Sequence, residues 1–360
     1  MVKSFYLSSL REGAGKSFLS IGFIQKLIKE GKKFAYFKPI GNPQSAFTNK
    51  ADPDVAFILK TIYHKIIHIP QDYPYDFISP VSVPESYYVD LVNANRREQF
   101  LQKIKSTYDK ITKDIEYIII EGNPSIRKYI RVGLDDVSIA KVLGINEMIY
   151  ISIDSSDRCI DNLIFTKNYF DSWNIGIKGV LFNNIEYDYI ARIKELTEEH
   201  INKYDIPVIG IIEKSIELFS PRVSEIIEQI GGELINEKAS SGLNNIVENY
   251  LIGAMNSQAA LKYLRQVNRA AFITGGDRTD LAMAALDQDV SALILTGFMQ
   301  PDMSVITVAN DKGIPIILSP SDTYTTMRNL ERLKPSIQED EIEKVLELVE
   351  KELNWDLLLK

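Results

Sequence analysis

The sequence predicts an α/β protein in which a doubly wound, mostly parallel sheet is followed by a smaller α/β domain. Short β-branched or aromatic runs alternate with longer helical patterns through the first half of the chain, as in parallel sheets. The run Tyr117–Ile120 is continuous and apolar, as expected of a strand buried on both faces. Near residue 215 the regular alternation of strand and helix patterns is interrupted, and a second alternation begins after it. We therefore predict domains over residues 1–215 and 216–335, followed by a C-terminal helix over 336–360.

Six strands are predicted in the first domain, at helix-sized intervals. Between the first two, Ser17–Glu30 has apolar residues spaced near 3.6 and is predicted to be a helix. Ligands of such sheets bind at the carboxyl ends of the strands. The predicted strands are Ser4–Ser8, Phe34–Phe37, Tyr117–Ile120, Met148–Ile153, Ile177–Leu181 and Val208–Ile212.

The second domain is predicted to begin with a connecting helix, Glu217–Ile230, closed by two glycines. A smaller strand–helix alternation then runs through Ala271–Thr274, Leu281–Leu286, Ala292–Leu295 and Gly313–Leu318. The last predicted helix, Glu339–Trp355, carries one apolar stripe. A surface helix with such a stripe buries it against a core, and we expect this one to pack on the second domain.

Composition excludes several classes of protein. The chain has 360 residues, 45% of them hydrophobic, and a net charge of -8, so it has no general attraction for nucleic acid or for an anionic membrane. Cys159 is the only cysteine, which excludes intramolecular disulfides and thiolate metal clusters. No apolar run is long enough to span a bilayer, and the N-terminus does not resemble a secretory leader. We expect a cytoplasmic protein.

The segment Glu12-Gly13-Ala14-Gly15-Lys16-Ser17 lies between the first predicted strand and helix. Its glycines let the backbone approach a phosphate closely, and the start of the helix attracts an anion. Lys16 would then place its ammonium against the outer phosphates, and Ser17 would offer its hydroxyl to Mg²⁺. Leu10 stands where the standard motif has glycine, and a non-functional turn is the alternative.

Three further positions are candidates for the same crevice. Mg²⁺ requires more oxygen ligands than one hydroxyl, and Glu121 directly follows the apolar run. Asp52 and Asp54 begin the next predicted helix. Capping is the better explanation of Asp52, whereas for Asp54 capping and metal binding stay equally open. Lys38 follows the second strand and could reach an anion, although alone it would be interpreted as a surface lysine. Asn183 ends a strand, where its amide could contact a base or simply form a turn.

The order of these motifs resembles dethiobiotin synthetase and, more closely, the N-terminal region of long-form phosphate acetyltransferases. The matching segments are REGAGKS, FKPIG, ADPDVAF, IIIEGNPS, KGVLFNN and IPVIGII. Further along, ITGGDRTDLAMAAL and ALILTGF are similar to the DRTGG domain that follows in those proteins. The resemblance therefore covers nearly the whole chain.

The resemblance implies ATP and Mg²⁺ as cofactors and a homodimer as the assembly. It implies phosphate binding by Glu12, Gly13, Ala14, Gly15, Lys16 and Ser17, and Mg²⁺ ligation by Ser17, Asp54 and Glu121. Lys38 would lie near the transferred phosphate or a substrate carboxylate, and Asn183 near the adenine. Lys16 and Lys38 are thus the candidate catalytic residues. In the second domain the matching residues, which would surround an unidentified small molecule, are Asp277, Arg278, Thr296 and Gly297, with Phe298 in place of a second glycine.

Two departures limit the function that the resemblance implies. Ser9-Leu10-Arg11-Glu12 replaces the loop typical of dethiobiotin synthetase. Arg11 falls where some dimeric relatives place a lysine that reaches the partner's nucleotide, so an inter-subunit role is one hypothesis for it. The sequence ends at Lys360, where the acetyltransferase domain would begin, and acetyl transfer is not expected. A nucleotide-responsive regulatory protein, an ATP-dependent ligase acting on a carboxylate, and a module whose nucleotide stabilises a dimer stay open.

Overall fold

The computed structural model describes residues 2–42, 52–62, 74–83, 88–333 and 335–359. The chain divides into two compact units. One runs up to Lys214 and includes the C-terminal segment from Gln338, and the other is Ser215–Ile337. Within the described part of the chain, no helix is both long and apolar enough to cross a bilayer.

The first unit is built on a six-stranded parallel sheet of order β2-β5-β1-β6-β7-β8, and this confirms the predicted doubly wound parallel sheet. A separate two-stranded pair joins β3 and β4. Central strands such as β5 are buried along their whole length, because helices cover both faces of such a sheet. The strands are β1 (Lys3–Ser9), β2 (Phe34–Phe37), β3 (Ile40–Gly41), β4 (Val81–Ser82), β5 (Tyr117–Glu121), β6 (Glu147–Ser152), β7 (Gly176–Ile185) and β8 (Val208–Glu213).

Among the described residues of this unit, eight α-helices lie between those strands. The long helix Ala94–Ile111 begins at Asn93, whose side chain accepts a hydrogen bond from the Arg96 amide, as a favoured N-cap does. The helices are α1 (Lys16–Lys29), α2 (Pro53–Ile62), α3 (Pro74–Ile78), α4 (Tyr88–Leu91), α5 (Ala94–Ile111), α6 (Asp136–Leu143), α7 (Arg158–Asp171) and α8 (Tyr187–Glu199).

The second unit has a smaller sheet of order β10-β11-β12-β13-β9, parallel except for its edge strand β9. Its strands are β9 (Glu233–Leu234), β10 (Asn249–Ile252), β11 (Ala270–Gly275), β12 (Val290–Thr296) and β13 (Ile316–Leu318). Its helices are α9 (Ile216–Phe219), α10 (Val223–Ile230), α11 (Ser257–Leu264), α12 (Thr279–Leu286), α13 (Met303–Lys312) and α14 (Thr323–Leu330).

The prediction of one connecting helix over Glu217–Ile230 is wrong. Two helices, α9 and α10, are separated at Ser220 and Pro221. Ser220 is extended, with φ -104° and ψ 136°, because a residue before proline is disfavoured in the helical region. The apolar residues keep a helical spacing across this break, although the backbone leaves the helical conformation there.

The prediction that the C-terminal helix packs on the second domain is also wrong. The helices α15 (Ile342–Glu352) and α16 (Trp355–Leu359) belong to the first unit and pack against α1 and β8. Glu350 pairs with Lys26 and Lys29 of α1 at 3.0 and 2.7 Å. The Trp355 ring meets Phe23 edge-on, with centroids 5.2 Å apart. The apolar stripe predicts burial but does not identify the surface that buries it.

Gly22 permits this contact, because a Cβ at that position would lie 2.6 Å from Val349 Cγ2. Alanine normally stabilises a helix by about 1 kcal/mol relative to glycine, whereas overpacking a core costs about 1–3 kcal/mol. We therefore expect Gly22→Ala to lower the free energy of unfolding in urea denaturation. In a Val349→Ala background, which removes the two methyl groups and leaves only a 3.0 Å approach to the Cβ of residue 349, the same substitution should destabilise less. A stabilising Gly22→Ala in the wild type would contradict this packing.

Candidate functional site

The loop after β1 brings the predicted phosphate-binding residues to the carboxyl edge of the sheet. Gly13 and Gly15 have φ of 70° and 86°, a left-handed conformation that glycine adopts without strain. The Gly15 carbonyl accepts the first helical hydrogen bond from the Leu19 amide at 3.0 Å, and α1 begins without a side-chain cap. The N-terminus of such a helix attracts phosphate. The local geometry is therefore that of a phosphate-binding loop.

Lys16 points back into this loop. Its Nζ donates to Ser9 Oγ at 2.6 Å and to the Pro124 carbonyl at 2.9 Å, and the residue is only 7% exposed. Burial lowers the pKa of Lys16 from its usual value to about 8, although nearby carboxylates, chiefly Asp136 and Glu121, oppose the shift. The ammonium thus lies at the base of the loop, between the ends of two neighbouring strands.

Three carboxylates surround the ammonium of Lys38. Its Nζ lies 2.9 Å from Asp52 Oδ1, 2.7 Å from Asp54 Oδ2 and 3.0 Å from Glu121 Oε1. Burial lowers the pKa of Lys38, but the three negative charges outweigh it and hold the pKa well above its usual value. The interpretation of Lys38 as an ordinary surface lysine is thereby excluded, since its side chain is 5% exposed.

Glu121 connects this cluster to the phosphate-binding loop. Its Oε1 accepts a hydrogen bond from Ser17 Oγ at 3.0 Å, and its Oε2 accepts from Tyr36 at 2.9 Å and Ser20 at 3.2 Å. The register places Glu121 opposite Leu7 of β1, which is why the carboxylate faces the loop. Burial raises the pKa of Glu121 despite the opposing charge of Lys38.

Asp52 and Asp54 are each candidates for helix capping and for a place in the crevice, and the structure distinguishes them. Asp52 caps α2, since its Oδ1 accepts the amides of Asp54 and Val55 at 3.0 and 3.4 Å, and the capping prediction is confirmed. The Asp54 side chain is 41% exposed and is directed at Lys38. Interaction with Lys38 lowers the pKa of Asp54, against the effect of burial.

Asn183 lies beneath the phosphate-binding loop. It is fully buried, and its Nδ2 donates to the Ala14 carbonyl at 2.9 Å. Its Oδ1 is buried and has no hydrogen-bond partner among the described residues. A buried acceptor without a partner is costly. Asn183 therefore braces the loop with one atom and leaves the other unsatisfied, and a contact with adenine stays a prediction.

Asp136 is a site residue that the sequence analysis missed. It is fully buried in the first turn of α6, and its Oδ1 accepts from the Asn123 amide at 2.7 Å and from Tyr6 at 3.4 Å. Its Oδ2 has no partner within the described ranges. Burial raises the pKa of Asp136 from 3.8 to about 7. An acidic pair at the start of an apolar helix was the available signal: Asp135 caps the helix, and Asp136 turns inward.

This raised pKa makes stability depend on pH. Because the native state holds the Asp136 proton more tightly than the unfolded chain, the stabilisation is full below about pH 4 and is lost as pH rises through about 7. Asp136→Asn removes this titration while keeping the shape and an acceptor oxygen. We expect the melting temperature of the variant to exceed that of wild type at pH 8 and the difference to shrink towards pH 5. A difference independent of pH would contradict the assignment.

Arg11 forms an ion pair within its own chain. Its Nη2 lies 2.9 Å from Asp154 Oδ1, and Asn162 donates to the other oxygen of that carboxylate at 2.7 Å. The phosphate-binding loop is thus connected to the loop that follows β6. The Arg11 side chain is 45% exposed, and an inter-subunit role for it stays a hypothesis.

The residues singled out in the second unit follow two neighbouring parallel strands. Arg278 follows β11 and donates to the Met255 carbonyl at 3.3 Å, while Thr296 ends β12 and shares a 2.8 Å hydrogen bond with Thr323. Phe298 has φ of 55° and is 56% exposed, so it adopts a conformation that suits glycine better. Asp277 and Gly297 lie on the same two loops.

The structure thus brings together Lys16, Ser17, Lys38, Asp54 and Glu121, as the sequence predicts. Within the described ranges, no group of three or more His, Cys, Asp or Glu side chains is arranged to hold a metal ion. The three carboxylates of Asp52, Asp54 and Glu121 instead share the ammonium of Lys38 as a common partner. The sequence indicates structural or surface roles for His64 and His68 and shows no recognisable substrate loop between Gly41 and Asp52. Both histidines and residues 43–51 lie outside the described residues.

Comparison with known protein families gives a match for each of the two units. The model of an AAA domain family, AAA_26, matches residues 3–222, which is more than half of the chain. The chain belongs to this family. The model of the DRTGG domain matches residues 225–333.

Curated relatives confirm the resemblance to the N-terminal region of phosphate acetyltransferases. The Synechocystis sp. phosphate acetyltransferase is 24% identical over 352 residues, covering 94% of this chain and 48% of the relative. The Nitratidesulfovibrio vulgaris enzyme is 25% identical over 361 residues, covering 96% and 49%. The chain spans about half the length of the curated relatives it matches.

A solved structure is similar to this chain at a lower level. Cobyrinic acid a,c-diamide synthase from Mycobacterium smegmatis, with bound ADP and magnesium, is 15% identical, covers 60% of this chain and 88% of its own, and has a TM-score of 0.35.

Proposed function

We propose that this AAA-family protein binds ATP with Mg²⁺ at the loop Glu12–Ser17 and is a regulatory protein that hydrolyses ATP slowly. One observation carries the proposal: a glycine-rich loop, two lysines and two carboxylates converge at the carboxyl edge of one parallel sheet. Phosphoryl chemistry depends chiefly on positioning and charge neutralisation, and these residue types supply both.

The oxygen donors in the crevice fit Mg²⁺. Ser17 contributes a hydroxyl, and Glu121 and Asp54 contribute carboxylates, which are the hard ligands that this ion prefers. Ser17 already donates to Glu121, so the two groups face a common position. Bound Mg²⁺ would neutralise the charge of the β- and γ-phosphates, while Lys16 would hold the phosphates from the base of the loop.

Asn183 and the loop amides would complete the nucleotide site. The unsatisfied Oδ1 of Asn183 is an acceptor of the kind that suits an exocyclic amine such as that of adenine, and this contact would require the loop above Asn183 to move, since the residue is fully buried. The second unit would bind a further small molecule at the loops that carry Arg278 and Thr296, and a homodimer would be the assembly. Regulation is favoured because a DRTGG domain, matched over residues 225–333, accompanies the nucleotide-binding unit and would offer a place for a second ligand.

A ligase acting on a carboxylate is the second candidate. The buried ammonium of Lys38 next to Asp54 and Glu121 favours it, since such a charge stabilises a transferring phosphoryl group. Phosphate release measured with and without candidate carboxylates separates the two functions. A regulatory protein should show no stimulation by the substrate, whereas a ligase should be stimulated many-fold.

Thermal denaturation with ATP, ADP or GTP, with and without Mg²⁺, tests nucleotide binding itself. A ligand at 100 times its Kd stabilises a protein by about 2.7 kcal/mol, which raises the melting temperature of a unit this size by roughly 5 °C. We expect this shift with ATP and Mg²⁺ and its loss in Lys16→Ala. Equal shifts in wild type and Lys16→Ala would contradict the proposed site.

A further inference from the structure

We propose that Lys38 is an internal counter-cation that keeps divalent metal away from the acidic cluster until a nucleotide arrives. The acidic cluster is defined as Asp52, Asp54 and Glu121. The inference rests on the proposed function and adds a regulatory step to it: metal and nucleotide bind together, because the empty site already holds its own cation.

The distances show that Lys38 occupies the centre of the acidic cluster. One ammonium has three protons, and Lys38 Nζ has three carboxylate partners at 2.7–3.0 Å. Its side chain is 5% exposed, and those of Asp52 and Glu121 are 2% and 3% exposed. Burying the carboxylates of Asp52 and Glu121 beside that of Asp54 with no cation would be strongly unfavourable. Lys38 therefore supplies the positive charge that holds the cluster together.

A divalent ion would compete with Lys38 for the same oxygen atoms. Glu121 Oε2 is already satisfied by two hydroxyl donors, Tyr36 and Ser20. The remaining oxygen, Oε1, is shared by Ser17 and Lys38. A metal bound to Ser17 and Glu121 would replace the Ser17 hydrogen bond at Oε1 and would lie next to the Lys38 ammonium on the same atom. Repulsion between the two cations would oppose this binding unless Lys38 moves away, so that metal binding without a nucleotide gains little.

The carboxylates of the acidic cluster differ in how firmly they are held, and this difference would let Lys38 move away from two of them. Asp52 is fixed, because its carboxylate accepts three backbone amides, those of Asn42, Asp54 and Val55. Asp54 is 41% exposed, and its carboxylate interacts with the side chains of Lys38 and Ser17; we expect it to turn towards solvent or a metal more readily than Asp52. Lys38 can thus retain Asp52 while it releases Asp54 and Glu121. Nucleotide phosphates would favour this step, since they provide the metal with further oxygen ligands and Lys38 with a new anion.

Mn²⁺ binding in the absence of nucleotide, measured by electron paramagnetic resonance, tests the inference. We expect wild type to bind Mn²⁺ weakly and Lys38→Met to bind one ion per chain at least tenfold more tightly. The gain should disappear in Lys38→Met/Asp54→Asn. Lys16→Met is the matched control, because Lys16 is also buried at this edge of the sheet but donates to Ser9 and Pro124. An equal gain in Lys16→Met would overturn the inference, since it would reflect only a more negative potential.

Lys38→Met leaves three carboxylates unbalanced and could fail to fold. Lys38→Met/Asp52→Asn removes one positive and one negative charge and keeps Ser17, Asp54 and Glu121. It should also bind Mn²⁺ at least tenfold more tightly than wild type and gain thermal stability from it. Mn²⁺ affinity at the wild-type level in whichever of these variants folds would overturn the inference. Failure of the proposed function is distinguishable, because it appears as absent ATP binding by wild type and is measured without these variants.

Discussion

Replacing Gly15 with alanine is expected to weaken ATP binding by about 100-fold or more, a loss of about 2.7 kcal/mol. Gly15 has φ of 86°, and a Cβ at this position would lie 2.1 Å from Asn183 Nδ2. The left-handed conformation costs a non-glycine residue about 1–2 kcal/mol. The clash adds to this, because Asn183 is buried beneath the loop and bonded to Ala14. The loop must therefore shift from the shape that would hold the phosphates.

Gly13→Ala is the matched control for this prediction. Gly13 also has a positive φ, of 70°, but a Cβ there would meet no atom within 4 Å. Only the backbone strain then applies, and we expect a loss of about tenfold. Affinities measured by fluorescence titration with a labelled ATP analogue give the comparison. Equal losses in the two variants would show that contact between Gly15 and Asn183 has no part in shaping the loop.

Glu121→Gln is expected to weaken Mg²⁺-ATP binding at least tenfold while changing metal-free ATP binding little. The substitution keeps the shape of the side chain but removes the negative charge that a metal needs. It also leaves Lys38 with two carboxylate partners instead of three. The effect should therefore appear in the difference between titrations with Mg²⁺ and with a chelator.

Glu116→Gln provides the control, because Glu116 is exposed just before β5 and its carboxylate accepts only the Lys33 amide among the contacts described for it. It should bind Mg²⁺-ATP as wild type does. If Glu121→Gln also retained wild-type affinity in Mg²⁺, Glu121 would not be a metal ligand. The melting temperature of both variants without nucleotide shows whether the fold is retained.

The sequence predicts the nucleotide crevice well because its parts follow from local rules. Gly13 and Gly15 lie in a loop between a strand and a helix, and Lys38 and Glu121 lie where strands β2 and β5 end. Parallel neighbouring strands bring their carboxyl ends to one edge, so residues distant in sequence converge there. Strand direction places these residues at one edge of the sheet, and the order β2-β5-β1, which the sequence does not predict, makes the strand ends adjacent.

The remaining features depend on contacts that periodicity does not encode. The apolar stripe on α15 predicts that this face of the helix is buried. It does not predict that the face packs on α1, where Gly22 has no side chain and leaves room for Val349. Asp136 is a charged residue at the start of a helix, and such residues are usually explained as N-caps. Asp135 already caps this helix, and the sequence does not show that Asp136 is buried. Asn183 directly follows an apolar run, and the sequence places it only at the end of a strand. In the structure the pairing of β7 with β8 is irregular between Phe182 and Ile185, and the Asn183 side chain lies beneath the loop, where it donates to Ala14.

Calorimetric titration of the wild-type protein with ATP, in Mg²⁺ and then in a chelator, tests the central claim most directly. The proposed site predicts one ATP bound per chain in Mg²⁺ and an affinity at least tenfold lower without the metal. No measurable ATP binding, or equal affinity in the two conditions, would contradict the claim that the loop and the carboxylates of Asp54 and Glu121 hold a metal–nucleotide complex.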